Sequence, residues 1–341
     1  MNPRAFLNTT TSRAYSLPIV ILYVTEGCNL QCITCSYRHP LPQELTLGEI
    51  EQLSRELLQL GLKHIVYSGG EPLLRRDFPQ ICRIFKGIGV KQTLLTNGLL
   101  LEKRLTDLHG FFSEIIVSID GPDGETHNSI RGITSFDQIV SGVRLAARNV
   151  APVSIRTVIQ KKNFRRLPEM VEFAKSLNVS RISFLAADVL SESFGRDTLG
   201  PVAAENSIAL DQSEVTEFRA IIERMVARYA GDIETRFISE SREKLFHLVE
   251  YFEALAGTSE FPRNMCNAPM VSRVITSTGK VQPCYFLPAY GSVRGGHWAE
   301  LLNGPAIASV RKDVKAYTLD RCRTCVCTLY MKPRAALLDR F

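Results

Sequence analysis

The stretch LPIVILYVTEGCNLQCITC, from Leu17 to Cys35, decides the fold. Its first eight residues, Leu17 to Val24, are an apolar run of strand length, and cysteines follow at once at positions 28, 32 and 35. A run with so little polar alternation predicts a parallel strand covered on both faces. Working outward, similar runs rich in Ile, Val and Leu recur at 63–68, 91–96, 114–119, 152–159 and 180–186. Amphipathic segments separate them. Thr46 and Glu49 make a capping box ahead of Ile50, Leu53, Leu57 and Leu60. Phe136, Ile139, Val140 and Val143 keep the same period, as do Val215, Phe218, Ile221, Ile222 and Met225 after a cap at Asp211. Six strand–helix units in series predict an α/β protein, a partial (β/α)6 TIM-like barrel.

Residues 187–211 are polar and contain glycine, which places a long loop at the carboxyl end of the sixth strand, where active sites of such sheets gather. On it, Asp188, Glu192 and Arg196 either meet substrate or form a solvated face. A helix around Leu245, Leu248, Val249, Phe252 and Leu255 precedes a break at Gly257 to Pro262. The predicted organisation is a tail over 1–16, a barrel over 17–235, a linking helix over 236–261 and a small cysteine-rich domain over 262–341.

Composition narrows the function classes. The 341 residues carry 41 Lys and Arg against 35 Asp and Glu, a net charge of +6. Spread thinly, that charge favours an anionic small ligand or an acidic partner and hardly favours nucleic acid. No stretch approaches the ~20 apolar residues of a membrane span, and no signal peptide precedes the first strand. A cytoplasmic location is expected.

Nine cysteines stand at 28, 32, 35, 82, 266, 284, 322, 325 and 327. In a reducing compartment such grouping argues for metal binding over disulfides. Cys82 shares an apolar face with Phe78, Ile81 and Phe85 and reads as core. Three thiolates in eight residues can hold three irons of a [4Fe–4S] cube and leave the fourth open. The alternative is structural zinc with His39 as fourth ligand, although CX3CX2C is not a usual zinc spacing. At the other end, Cys266 is followed by Gly279 and Cys284 across a hairpin that turns near Thr278-Gly279, and then by Cys322, Cys325 and Cys327. A zinc ribbon is the alternative for this group.

In these motifs the chain resembles the radical S-adenosylmethionine (radical SAM) superfamily, whose hallmark is CX3CX2C after the first barrel strand. Thr34 departs from the aromatic residue often found before the third cysteine, and Tyr37 is the substitute candidate for contacting adenine. The resemblance continues at successive strand ends: Ser68-Gly69-Gly70-Glu71-Pro72, Thr96-Asn97-Gly98, then Ser118-Ile119-Asp120-Gly121-Pro122 with His127 and Arg131. It implies S-adenosylmethionine held by Gly69, Gly70 and Glu71 at its amino group and by Ser118 and Arg131 at its carboxylate, with Asn97 and Asp120 also in the binding set. Asp120 and His127 are equally explained as caps of the turn after the fourth strand. Arg156, inside the fifth strand, would aim a guanidinium into the barrel, where the same carboxylate is a candidate partner.

The C-terminal group is similar to the opening of the SPASM extension. With too few cysteines for two clusters, it resembles the shorter twitch version, a β-hairpin and helix unit with one auxiliary [4Fe–4S] cluster. The implied ligands are Cys266, Cys284, Cys322 and Cys325, with Cys327 as alternative to Cys325. The family chemistry is reductive cleavage of S-adenosylmethionine to methionine and a 5′-deoxyadenosyl radical, which takes a hydrogen atom from substrate. That chemistry needs a flavodoxin- or ferredoxin-type electron donor. The expected outcome is net oxidation or rearrangement of a small sugar- or cyclitol-like biosynthetic metabolite. Two alternatives stand: peptide modification with a separate leader-binding partner, since only about sixteen residues precede the first strand, and a non-catalytic iron–sulfur sensor. The ending Leu338-Asp339-Arg340-Phe341 lacks the diglycine tail of the molybdenum-cofactor cyclase. No general base is assignable, and hydrogen-atom abstraction does not require one.

Overall fold

The structure, a computed structural model, describes residues 1–196, 208–327 and 329–338. Nine strands, β1 (Ile19–Thr25), β2 (His64–Gly69), β3 (Lys91–Thr96), β4 (Glu114–Ser118), β5 (Val153–Ile159), β6 (Arg181–Ala186), β7 (Ser272–Ile275), β8 (Lys280–Gln282) and β9 (Gly291–Ser292), make one sheet. Its order is β6-β5-β4-β3-β2-β1-β7-β8-β9, open at both ends, so the barrel is partial as expected. The first six strands fall within a residue or two of the sequence reading. Each is followed by helical structure before the next, and their pairings are all parallel.

Alternation along the strands separates two faces. Val20, Leu22 and Val24 of β1 join Ile65, Tyr67, Leu94, Val117 and Ile155 in the core beneath the helices. Ile19, Ile21 and Tyr23 point the other way, with Val66 and Val274, into the lumen. Burying each large aliphatic side chain contributes roughly 1.5–3 kcal/mol. The capping boxes form as read. Thr46 Oγ1 accepts from Glu49 N–H at 3.3 Å and Glu49 Oε2 accepts from Thr46 N–H at 2.8 Å. Asp211 and Glu214 do the same at the start of helix Gln212–Arg228.

Three features differ from the reading. Residues 1–16 are not simply a tail: Asn2 caps a helix Pro3–Thr10, and Asn2 N–H donates to Leu337 O at 2.8 Å in the C-terminal helix Pro333–Leu337. The buried side of that first helix includes Asn8, whose amide donates to Ser16 O at 2.8 Å, so its polarity hid the periodicity. Residues 236–261 do more than link. Ser239 N–H donates to Ile182 O and Ile182 N–H to Phe237 O, which covers the outer edge of β6. Helix Arg242–Leu255 then buries Leu245, Leu248, Val249 and Phe252. Finally, the cysteine-rich region is not a separate sheet. β7 pairs parallel with β1, Ile21 opposite Val274, and the β7–β8 hairpin turns at Gly279, whose φ of +81° suits glycine. No helix among the described residues is long and apolar enough to cross a membrane.

Candidate functional site

The cysteine loop is held by four neighbouring elements. From the end of β2, Gly70 N–H donates to Thr25 O and Glu71 N–H to Gly27 O, both at 2.8 Å. A Cβ at Gly70 would stand 2.2 Å from Gly27 O, so only glycine lets the two backbones meet. From the end of β3, Asn97 Nδ2 donates to Asn29 Oδ1 at 2.8 Å and lies 3.8 Å from Cys28 Sγ. From the helix Gly124–Arg131 after β4, the carbonyls of Arg131 and Ile130 accept from Gln31 and Ile33 N–H. Beyond β6, Phe194 O accepts from Ser36 N–H at 2.9 Å. The motifs at successive strand ends therefore converge on Cys28, Cys32 and Cys35.

The conformation changes what two acidic residues do. Glu71 is fully buried and its carboxylate turns away from the loop. Oε1 accepts from Leu73 N–H at 3.0 Å and Thr96 Oγ1 at 2.7 Å, and Oε2 from Asn97 N–H at 2.7 Å. Burial pushes its carboxyl up to about 7 against these donors. In this structure the carboxylate locks β2 to β3 instead of facing an ammonium, which corrects the role read from the sequence. Asp120, also buried, accepts from Arg131 Nη2 at 2.7 Å and from Val158 N–H at 2.8 Å. It holds Arg131, whose Nη1 lies 3.8 Å from Cys32 Sγ. His127 is a structural cap: Nδ1 accepts from Asp120 N–H at 3.3 Å, and burial lowers its pKa to about 3.

The lumen carries a polar row across three strands. Ser118 on β4 is in register with Arg156 on β5, and Arg156 with Ser183 on β6, whose Oγ accepts from Arg156 Nε at 3.3 Å. All three lie on the lumen side. Tyr37 packs edge-on against Tyr23 with centroids 6.2 Å apart, and Tyr23 lies 6.1 Å from Tyr285. These rings pave the lumen between the cysteine loop and Cys284.

Five thiols, Cys266, Cys284, Cys322, Cys325 and Cys327, line one cavity of about 80 Å³ together with Ile21 and Tyr285. Cys325 Sγ accepts from Cys327 N–H at 3.4 Å. Burial pushes Cys28 and Cys322 up to about 11 and Cys284 to about 12, so metal loading there must displace protons. Among the described residues, no three His, Cys, Asp or Glu side chains are grouped to hold a single metal ion. His39 is exposed. All nine cysteines are free, and Cys82 is buried core as read. The residues fit iron–sulfur clusters.

The loop after β6 corrects the solvated-face alternative. Asp188 and Arg196 form a buried ion pair at 2.5 Å, and Arg321 of the cysteine-rich region lies 3.8 Å from Asp188. Ser193 Oγ donates to Tyr285 O at 3.0 Å, while Glu192 is exposed. Residues 197–207 of the predicted loop, and Asp339 to Phe341, lie outside the described residues.

Sequence reasoning gave no role to Asn29 or Asn163. Asn163 Nδ2 donates to Asp120 O and Val158 O at 2.9 Å. Their only signal was a place in a loop that follows a strand, Asn29 after β1 and Asn163 after β5. Gln160, fully buried after β5, has an amide with no partner among the described residues, and Tyr23 was hidden inside an apolar run.

Comparison with known proteins agrees with this geometry. The Radical SAM superfamily model matches residues 22–174, and the SPASM iron–sulfur cluster-binding domain matches 266–326. An AdoMet-dependent heme synthase of Methanosarcina barkeri is 25% identical over 297 residues, covering 85% of this chain and 83% of that one. A probable GTP 3′,8-cyclase of Archaeoglobus fulgidus is 27% identical over 298 residues, covering 85% and 92%. Streptococcus suis SuiB bound to precursor peptide SuiA shares the fold with a TM-score of 0.63 at 16% identity, covering 96% of this chain and 74% of that one. This chain belongs to the radical SAM superfamily: it is a radical SAM enzyme with a C-terminal SPASM domain, and its cofactors are a [4Fe–4S] cluster with a site for S-adenosylmethionine and auxiliary iron–sulfur binding at the C-terminus.

Proposed function

We propose that the enzyme abstracts a hydrogen atom from a small, anionic biosynthetic metabolite, sugar- or cyclitol-like, and carries it through net oxidation or rearrangement. The open-site cluster supplies the electron that splits S-adenosylmethionine into methionine and the 5′-deoxyadenosyl radical. Cys28, Cys32 and Cys35 hold that cluster. Arg131, kept charged and aimed by Asp120, stands beside Cys32. Ser118, Arg156 and the backbone at Gly69 and Gly70 are the candidate contacts for the amino-acid end of the cofactor, with Asn97 and Tyr37 on either side. Glu71 and Asp120 act on it only by holding these neighbours.

The observation that carries the substrate reading is the cationic side of the lumen. The Arg156 charge reaches Tyr285 and Cys327, and that of Lys244 reaches Cys327 and Glu240. A guanidinium there favours an anionic ligand. The relatives that align over 85% of the chain are named for a heme synthase and a GTP cyclase, whereas SuiB is similar in fold alone. Cys266, Cys284, Cys322 and Cys325 would hold one auxiliary [4Fe–4S] cluster, fully ligated and suited to removing an electron from substrate. Tyr285 and the 187–196 segment close the lumen against water. A flavodoxin- or ferredoxin-type protein in the cytoplasm would supply the reductant.

The test uses anaerobically reconstituted enzyme with S-adenosylmethionine and dithionite. Cell extract is divided by ultrafiltration into small-molecule and peptide fractions. Release of 5′-deoxyadenosine should rise with the small-molecule fraction and fall when anions are stripped from it. Stimulation confined to the peptide fraction would establish peptide modification instead. No 5′-deoxyadenosine under any condition would leave only a sensor.

A further inference from the structure

Beneath the hairpin, on the sheet face away from the lumen, two arginines are buried with no counter-charge among the described residues. Arg273 on β7 and Arg311 in helix Pro305–Ala316 are each 1% exposed. Arg311 sits one turn from both Ile307 and Val314 on the inward face of its helix, where the period calls for an apolar residue. Arg273 lies in register with Val20 of β1.

Every acceptor these side chains find is neutral. Arg273 Nε donates to Tyr290 Oη at 2.6 Å, and its Nη1 donates to the carbonyls of Pro269 at 2.7 Å and Ser272 at 2.6 Å. Arg311 Nη2 donates to Asn303 Oδ1 at 3.0 Å. Arg273 Nη2, Arg311 Nε and Arg311 Nη1 have neither solvent nor an acceptor among the described residues. Arg311 feels the charge of Arg273, both feel Tyr290, and no carboxylate of the described residues acts on either. Tyr290 cannot neutralise them as a phenolate, because burial raises its pKa and its hydroxyl donates to Leu301 O. Arginine does not give up its proton in proteins. Two buried like charges with three unmet donors are strongly unfavourable unless an anion joins them.

We propose that Arg273 and Arg311 form a binding site for a small inorganic oxyanion, phosphate or sulfate, between β7 and helix Pro305–Ala316. A doubly charged oxyanion balances two guanidiniums and takes several N–H donors at once. Both side chains are buried, so the ion enters as they part. Once seated it joins β7, the neighbour of β1, to the helix that leads into Cys322. It also reaches the N-terminal segment, because Asn303 Oδ1 accepts from Ala14 N–H at 2.9 Å and its amide donates to Ala14 O at 2.8 Å. The site is independent of the proposed substrate.

The test is anaerobic thermal unfolding of the full cluster-loaded chain in low-millimolar phosphate, sulfate or chloride at fixed ionic strength. With phosphate or sulfate in 100-fold excess over its dissociation constant, the midpoint should rise by about 4 °C. Chloride should not reproduce the rise, and Arg311→Met should abolish it without unfolding below the anion-free wild type. No rise, an equal rise in chloride, or an equal rise in Arg311→Met overturns the proposal. If that variant does not fold, wild-type crystals soaked in selenate decide. An anomalous peak within hydrogen-bond reach of Arg273 Nη2 and Arg311 supports the site, and its absence refutes it.

Discussion

Replacing Arg131 by methionine should cost far more stability than its single ion pair would at the surface. The guanidinium and the Asp120 carboxylate meet at 2.7 Å with side chains only 12% and 3% exposed. Burial pushes the Asp120 carboxyl up even with the arginine beside it. Without Arg131 the carboxylate keeps one N–H donor, from Val158, and no counter-charge. Breaking one side of a buried pair costs about 3–5 kcal/mol. At about 2.1 cal/mol/K per residue over 341 residues, the unfolding entropy is about 0.7 kcal/mol/K. The midpoint should therefore fall by about 4–7 °C in anaerobic calorimetry. Asp120→Asn in the same background removes the stranded charge and should recover more than half of that loss, a coupling of about 2 kcal/mol. A loss under about 1 kcal/mol for Arg131→Met, or strict additivity of the two changes, would show that the pair does not hold the strand end as argued.

Other outcomes follow from the same contacts. Gly70→Ala drives a Cβ into Gly27 O and should lose more than half of the absorbance of the first cluster, while Gly48→Ala, with nothing within 4 Å, keeps it. Cys325→Ala should lower iron content by roughly half, four irons of two cubes, and Cys327→Ala should leave it unchanged; the reverse would reassign the fourth ligand. His127, held neutral with a pKa near 3 against roughly 6.5 when unfolded, gives full stability above pH 6.5 and loses it as pH falls toward 3. Between pH 6.5 and 5, wild type should lose about 1–2 kcal/mol more than His127→Asn in urea unfolding; parallel pH profiles would mean the ring is protonated in the fold.

The barrel was legible because buried parallel strands are apolar on both faces, so their ends could be found and the cysteines, glycines and Asn97 placed there. What the chain order did not reveal depends on contacts across it. Glu71 and Asn97 are 26 positions apart, and only the pairing of β2 with β3 turns that carboxylate inward. Asp188 and Arg196 looked solvated because their cover, Arg321, is more than a hundred residues away. Arg273 and Arg311 look like surface charges until β7 is set against β1. The hairpin itself was readable at Thr278-Gly279; its joining the barrel sheet was not, since a four-residue strand carries no mark of its neighbour.

That shared strand has a bearing on spacing. Ile21 lines the five-thiol cavity, and the same strand runs on through Thr25 to the loop that begins at Cys28. At about 3.3 Å per residue, the span between the two metal centres is a length of rigid ladder and not of tether. Lengthening the segment near Gly257 should therefore leave the spacing of the two cysteine groups untouched, whereas a bulge within β1 should change it.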